Sequence, residues 1–458
     1  MKFNTFLTKV LLILIISGKN LFGSCEPCGI TSIGTTETGI TPVSVVYSPN
    51  GQCVTVANLF TNPGTLNIFR VNCDCSLTAV GSPVATGGVA PASVAYSPNG
   101  QCLAVANLVS NNVSIFRVNC DCSLTPVGSP IPTGGTLPIA LAYSPNSQCL
   151  AVANSGSNNV SIFRVNSDCS LIVPPIIVPV GTRPSAVAYS PNGQCLAVAN
   201  APISPPNTPG SVSIFRVNAD CSVTPVGSFA VGFNPASLAS SPNWQCLAVA
   251  NRGVAPNLGT TVSIFRVDAN CSLTSVGLPI PTGGIEPASV AYSPNGSCLA
   301  VANVQTDNVS IFRVNADCTL LPPTTVPAGD APASLRYSPG GQCLAVANFG
   351  NANVQIFRTN LMSMPVISSV AVDCDENCIR ITGRASASTP ASESTPAFPI
   401  NITVAENGVE LASTVTDSRG NFEVQICNVT SGSQHIFTVT ARNPNACTAS
   451  QQICNCIV

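Results

Sequence analysis

Residues 96–107 read YSPNGQCLAVAN, and residues 189–200 repeat the phrase unchanged. Variants stand at 47–58, 143–154, 240–251, 292–303 and 337–348, so the phrase occurs seven times. Counted from its cysteine (Cys53, Cys102, Cys149, Cys195, Cys246, Cys298, Cys343), the intervals are 49, 47, 46, 51, 52 and 45 residues. A second phrase, NVSIFRVN, follows each copy after a spacer, with small variations. A period in this range, rich in β-branched residues and without helical periodicity, predicts an all-β ring of seven blades with four strands each.

One repeat divides into strands by its turn residues. PASVAY (91–96) is the innermost strand, and SPNGQ is a turn built on Pro, Asn and Gly. CLAVAN (102–107) is the second strand, VSIFRVN (113–119) the third, and SLTPVGSPIPT (123–133) the outer one. Near-continuous apolar runs in the second and third strands fit sheets covered on both faces by their neighbours. Length varies most in the loop between second and third strands, where blade four carries APISPPNTPGS (201–211) and blade five RGVAPNLGTT (252–261).

The seventh copy ends at IFRTN (356–360) without its outer strand, whereas CGITSIG (28–34), resembling the outer-strand phrase, precedes any repeat. The expectation is that this N-terminal segment supplies the missing strand and latches the ring, leaving no sheet edge open.

Twenty-three cysteines and a Lys-flanked apolar leader, with VLLILIIS at 10–17, point to an exported chain in an oxidising compartment. The leader is placed at 1–24, the propeller at 25–360 and a second domain at 365–458. FGSC before Cys25 leaves lipidation of that cysteine open. All three lysines lie in the leader, so the remainder has 14 arginines against 19 acidic residues and a net charge of −5. Nucleic acid as a partner is excluded, because no cationic cluster is present to release counterions. The leader is also too short to remain as a membrane span.

Both cysteine-bearing turns of a blade fall at the same end, which gives candidate disulfides within each blade. These are Cys53–Cys75, Cys102–Cys122, Cys149–Cys169, Cys195–Cys221, Cys246–Cys271 and Cys298–Cys318, with Cys28–Cys343 at the latch. Second and fourth strands lie about 9.6 Å apart, and bridged Cα atoms within about 7 Å. Such pairs therefore require the turn to fold over the end of the third strand. Cys73 and Cys120 are extra, occupy equivalent places in adjacent blades, and are candidates to pair with each other.

The phrases SPNGQCLAVAN and NVSIFRVN resemble the repeats of YVTN-type seven-bladed propellers, which are related to lactonase-like propellers. The resemblance covers about 28–360. A WD-type repeat is not matched, because the chain has one tryptophan, Trp244. The resemblance implies the fold with some specificity and the activity with little. Beyond Met364, INITVAENGVELASTVTDSRGNFEVQICN (400–428) and HIFTVTARNPNA (435–446) resemble bacterial Ig-like modules. That implies a β-sandwich acting as a spacer or adhesive unit.

Chemistry is sparse. The one histidine, His435, lies outside the propeller, so no Ser/His/Asp or Cys/His set assembles at the propeller axis. No metal or cofactor site is expected, and DCDEN (373–377) fits no EF-hand spacing. Arginines recur once per blade (Arg70, Arg117, Arg164, Arg216, Arg266, Arg313, Arg358), usually four residues before an aspartate, and the expectation is a local pair. Six tyrosines, one per blade except the fifth, read as packing between blades. Charges outside the refrain are few. Glu37, Arg183, Glu286 and Asp330 fall in loops entering innermost strands, and Arg252 and Asp307 in second-to-third loops of the same face. Arg336 replaces a small residue on an innermost strand. Arg183, Arg252, Glu286, Asp330 and Arg336 are therefore the candidate binding residues, with docking centred on blades four and five.

The expected function is recognition of a protein or glycan at the cell envelope through the variable face, without catalysis. A lactonase-like hydrolase and an envelope structural protein are the alternatives.

Overall fold

The structure is a computed structural model that describes residues 28–202, 208–254 and 257–359, together with seven strands between 365 and 457. The leader, Cys25 and the loop 203–207 lie outside the described residues. Seven antiparallel sheets form the propeller, and in blades one to six the chain visits the strands in order from the axis outward. In blade two these are Pro91–Tyr96, Cys102–Asn107 and Asn112–Val118, then Leu124–Pro126 and Ile131–Pro132.

The outer strand departs from the single run expected of it. In blades one, two and five it is split into two short pieces, both pairing with the third strand. The break falls at Val-Gly-Ser-Pro or its Leu-Pro variant, where Gly81, Gly128 and Gly277 take φ of 67°, 68° and 73°. Blade four reads SFAVGF there, without proline, and runs unbroken from Val223 to Phe233.

The latch forms. Ile30–Glu37 pairs antiparallel with Asn353–Thr359, from Ile30 opposite Thr359 to Glu37 opposite Asn353, with a bulge between Ser32 and Gly34. Blade seven is thus assembled from both ends of the propeller segment, and the ring has no unpaired end.

Seven apolar clusters hold the blades, one between each neighbouring pair. Strand alternation sorts the side chains. Cys102, Ala104 and Ala106 face blade three, meeting Tyr143, Leu150, Val152 and Phe163. Leu103 and Val105 point the other way, into the cluster shared with blade one, alongside Tyr96 and Phe116. Each blade therefore has a small face and a large face, and the small face of one receives the large face of the next. Six of the seven inter-blade clusters contain a tyrosine, and the exception lies between blades four and five, where Ser240 replaces it.

This alternation corrects the disulfide pairing. The cysteine opening the second strand shares the small face, whereas the turn cysteine lies in the cluster on the large-face side. Two cysteines on opposite faces of one sheet cannot meet, so the pairs form between blades. They are Cys53–Cys122, Cys102–Cys169, Cys149–Cys221, Cys195–Cys271 and Cys246–Cys318, with Cα separations of 5.6–5.9 Å. Cys28 joins Cys298 and Cys75 joins Cys343, so the expected latch pair Cys28–Cys343 is replaced by bonds to blades six and one. Cys73 and Cys120 are exposed and stand outside this ring.

The repeated arginines also reach across rather than along. Arg70, Arg117, Arg266 and Arg358 donate to the carbonyls of Asp121, Asp168, Asp317 and Asp74 at 3.1–3.4 Å, each on the following blade. Arg164 binds the Asp220 carbonyl at 2.9 Å and its carboxylate at 3.9 Å. The aspartate side chains instead close their own turns, as when Asp121 accepts the Ser123 N–H at 2.9 Å. Arginine and aspartate are thus turn and seam fittings, not an anion-binding ring.

The C-terminal strands pair as two sheets, one of three strands and one of four. Most of the side chains there, including those of His435 and Cys374, lie outside the described residues, as does the expected Ig-like sandwich packing. Among the described residues no helix is long and apolar enough to cross a membrane.

Candidate functional site

The channel mouth is built by a device that recurs in every blade. The residue before each innermost-strand proline adopts a left-handed backbone: Thr41, Ala90, Leu137, Arg183, Asn234, Glu286 and Ala331, with φ between 46° and 59°. This conformation is costly for a residue with a Cβ, and a following proline disfavours helical values further. It persists because its carbonyl accepts the N–H of the residue that follows the VAN asparagine, at 2.8–3.1 Å in all seven blades. Those partners are Leu59, Leu108, Ser155, Ala201, Arg252, Val304 and Phe349. The two variable segments of each blade are therefore tied together around the mouth.

The asparagine ending each second strand supports this knot. Asn107 donates to Asn112 Oδ1 and Ser114 Oγ, both at 2.8 Å. A glycine of the entry loop lies flat on the same amide: a Cβ at Gly135 would come within 2.6 Å of Asn154 Cγ. The pairing of this Gly with the final Asn of VAN is legible as a repeat, but its meaning needs the fold.

Inside the mouth is a cavity of about 740 Å³ that draws its lining from all seven innermost strands. Most of the serines in its wall are committed to structure. Ser44, Ser93, Ser237, Ser289 and Ser334 accept N–H groups of the neighbouring innermost strand at 3.1–3.3 Å. Ser185 donates to the Pro235 carbonyl at 2.6 Å. Three arginines expected at the site converge here, since Arg183, Arg252 and Arg336 all line the cavity. Arg183 and Arg252 stand at the rim, and Arg336 projects from the fifth position of Pro332–Tyr337, deep in the channel.

Their electrostatics differ. Arg252 Nη2 lies 3.3 Å from Glu286 Oε2, so its charge is neutralised by the adjacent blade. Arg183 has no carboxylate within ion-pair distance among the described residues. Arg336 donates to the carbonyl of Leu335 at 3.0 Å. It is open to the channel lumen yet surrounded by the ring of blades, and this desolvation pulls its pKa below the usual arginine value. Asp330 does not line the cavity; its backbone N–H donates to Asn351 and its carbonyl accepts from Gly350 at 3.0 Å. Asp307 accepts the Ala331 N–H at 2.8 Å, the task of Asn111 and Asn158 in earlier blades. It is a loop fitting.

The sequence reading missed the other half of the mouth. Leu59, Leu108, Leu137 and Phe349 line the cavity from blades one, two, three and seven, so that only blade seven also carries one of the arginines, Arg336. Ile40, Phe60 and Val109 beside them are 58%, 64% and 59% exposed. Phe60 and Phe349 meet edge to face with centroids 6.2 Å apart. The signal was present in the residues after each VAN: LF, LV and FG in blades one, two and seven, against SG, AP, RG and VQ elsewhere. Among the described residues no group of His, Cys, Asp and Glu is placed to hold a metal.

Residues 29–135, 85–174 and 224–328 match the family model described as Lactonase, 7-bladed beta-propeller, together more than half of the chain. Residues 140–264 also match a Choice-of-anchor I domain. No curated protein matches. Among solved structures, a putative 6-phosphogluconolactonase from Bacteroides fragilis is 23% identical with a TM-score of 0.56, over 64% of this chain and 86% of that one. The periplasmic gluconolactonase of Pseudomonas aeruginosa is 21% identical with a TM-score of 0.54, over 63% and 86%. Hydrazine synthase from Kuenenia stuttgartiensis is 19% identical with a TM-score of 0.56, over 72% and 99%, so the likeness is one of fold. By the extent of its family match and by its closed seven-bladed ring, the chain belongs to the lactonase family of seven-bladed β-propellers.

Proposed function

We propose that the chain is an exported binding protein, without catalytic activity, that holds a protein or glycan partner of the cell envelope on the variable face of its propeller. The observation that carries this reading is the cavity at the mouth, where Arg183 and Arg252 at the rim and Arg336 inside meet the loops that differ most between blades. The opposite face repeats its SPNG turns and half-cystines from blade to blade, and is occupied with holding the ring. The C-terminal segment, resembling Ig-like modules, serves as a spacer that presents the propeller. The seven disulfides suit an oxidising compartment, and periplasm, surface or medium are the destinations an exported chain can reach.

The test is capture of partners from the native envelope by the purified mature chain. Replacing Arg183, Arg252 and Arg336 with Ala should weaken capture at least tenfold while leaving the melting temperature within a few degrees. Normal capture by that variant, together with loss on substitution in the SPNG turns, would put the site on the other face. Family membership favours a second reading, a lactonase-like hydrolase acting in the same cavity. Turnover of gluconolactone or its 6-phosphate that disappears in Arg336→Ala would establish it in place of the first.

A further inference from the structure

The mouth has two unlike halves, and together they describe an occupant. Blades seven, one and two offer an apolar arc: Ile40, Phe60 and Val109 exposed, with Leu59, Leu108 and Phe349 lining the cavity beside them. Exposed apolar groups grouped around a concave opening mark an interaction site rather than chance exposure. Blades four, five and seven supply the charge of the lining: Asp307 and Asp330 sit in mouth loops outside it, and the charged residues on the cavity wall are Arg183, Arg252 and Arg336. With Arg252 matched by Glu286, the unpaired charge on that wall rests on Arg183 at the rim and Arg336 within.

Arg336 lies four residues along its strand from Pro332 at the mouth, a depth of about 13 Å. A mid-chain loop would need two strands of polypeptide to reach it, whereas a chain end enters as one extended strand of about four residues. The cavity volume, about 740 Å³, lies within the range that encloses a compact ligand of that size. A glycan would leave the apolar arc uncovered, and a polar or basic peptide would oppose both halves.

We propose that the propeller recognises the C-terminal end of a partner polypeptide, with apolar last residues against the Phe60–Phe349 arc and the terminal carboxylate at Arg336. This rests on the binding reading above and names the chemistry of the partner. Arg336 is suited to the carboxylate because its guanidinium offers donors in a fixed fork that a carboxylate matches with two charge-assisted bonds. Arg183 at the rim steers the acidic end inward.

The experiment uses the full mature chain with its disulfides intact. It is offered two pools of N-fluoresceinated hexapeptides randomised at the last three positions, one with free carboxylates and one with C-terminal amides. Retained free acids should end in Leu, Ile, Val or Phe, and their amides should bind at least about tenfold more weakly. Arg336→Met should erase the difference between acid and amide, while Arg336→Lys retains part of it. Phe60→Ser with Val109→Ser should weaken acid and amide alike. Far-UV spectra and elution volumes identify any variant that fails to fold, and Arg336→Lys serves if the methionine variant does. No preference for free acids by the wild-type chain, or a preference that survives Arg336→Met, overturns the proposal. An envelope partner that crosslinks to the variable face and binds equally well with its C-terminus extended by a polar tail defeats this inference while leaving the binding reading standing.

Discussion

At Thr55 blade one departs from the refrain, with threonine where the other second strands carry alanine. The departure has a counterpart on the next blade: Thr55 Oγ1 and Tyr96 Oη lie 2.6 Å apart. Burial pushes the Tyr96 phenol up to about 12, so it is neutral and able to donate. Thr55→Ala should leave a buried hydroxyl without this partner and lower stability by about 1–3 kcal/mol. Thr55→Ala combined with Tyr96→Phe should recover part of that loss, and chemical denaturation of the two singles and the double checks the coupling. A second residue-scale effect belongs to the turn aspartates. Hydrogen bonds from Ser76, Ser123, Ser170, Ser222 and Thr319 hold Asp74, Asp121, Asp168, Asp220 and Asp317 below the usual carboxylate range. A folded pKa below the unfolded value of about 3.9 gives stability that is complete above that pH and is lost as pH falls through the folded value. Asn270 fills the same place in blade five and accepts the Ser272 N–H at 2.9 Å with an amide that does not titrate. Asp121→Asn with Asp168→Asn should therefore flatten the acid limb of the melting curve below about pH 4. An unchanged limb would assign acid sensitivity elsewhere.

Among the elements, the latch strand is the one whose loss has consequences that can be separated from simple destabilisation. Without Ile30–Glu37, the third strand Asn353–Thr359 becomes an edge with unpaired backbone groups, and Cys298 loses its partner Cys28. Removal of residues 28–37 should turn a monodisperse propeller into an associating one. Sedimentation at several concentrations checks this, and an unchanged monomer would mean that the latch is dispensable. That strand was legible in the sequence because a repeat lacking its last phrase and an N-terminus carrying a spare one admit a single arrangement. Blade number and strand order followed from the same refrain. The disulfide partners were not read, although the alternation C-x-A-x-A against L-x-V carries the information: it puts Cys102 on the small face, and the partner blade follows only once that face has a neighbour. The split of the outer strand at Val-Gly-Ser-Pro is a turn signal hidden in an apolar run. At the site, the arginines stood out as charges in a chain with few of them. Phe60, Val109 and Phe349 did not, since apolar residues in a chain that is 45% hydrophobic attract no notice until their exposure is known.

At the scale of the whole molecule, the seven inter-blade bonds, joined through the backbone between the two half-cystines of blades one to six, make a covalent circle that bypasses the connections between blades. In blade seven it is closed by the pairing of Ile30–Glu37 with Asn353–Thr359. Each blade is tied to both neighbours, so no interface can open while the bonds stand, and the two longest links, Cys28–Cys298 and Cys75–Cys343, span 270 and 268 residues. In the chain-entropy model each shorter link, closing loops of 67–76 residues, constrains the unfolded chain by about 4 kcal/mol. The circle should make the propeller tolerant of backbone cleavage in the connections between blades. A protease site inserted after Thr182, in the exposed connection between blades three and four, tests this against pairing within blades. Three bonds span that point: Cys28–Cys298, Cys75–Cys343 and Cys149–Cys221. Were each blade closed on itself, only the latch bond of Cys28 would span it, and Cys28→Ser would remove even that. The cut Cys28→Ser protein should therefore run as one species without reductant and as two fragments with it. It should also keep its β-sheet spectrum after cleavage, because two spanning bonds still hold the blade faces in register. Separation into two fragments under non-reducing conditions would show that the bonds do not pass between blades, and the covalent circle would then be wrong.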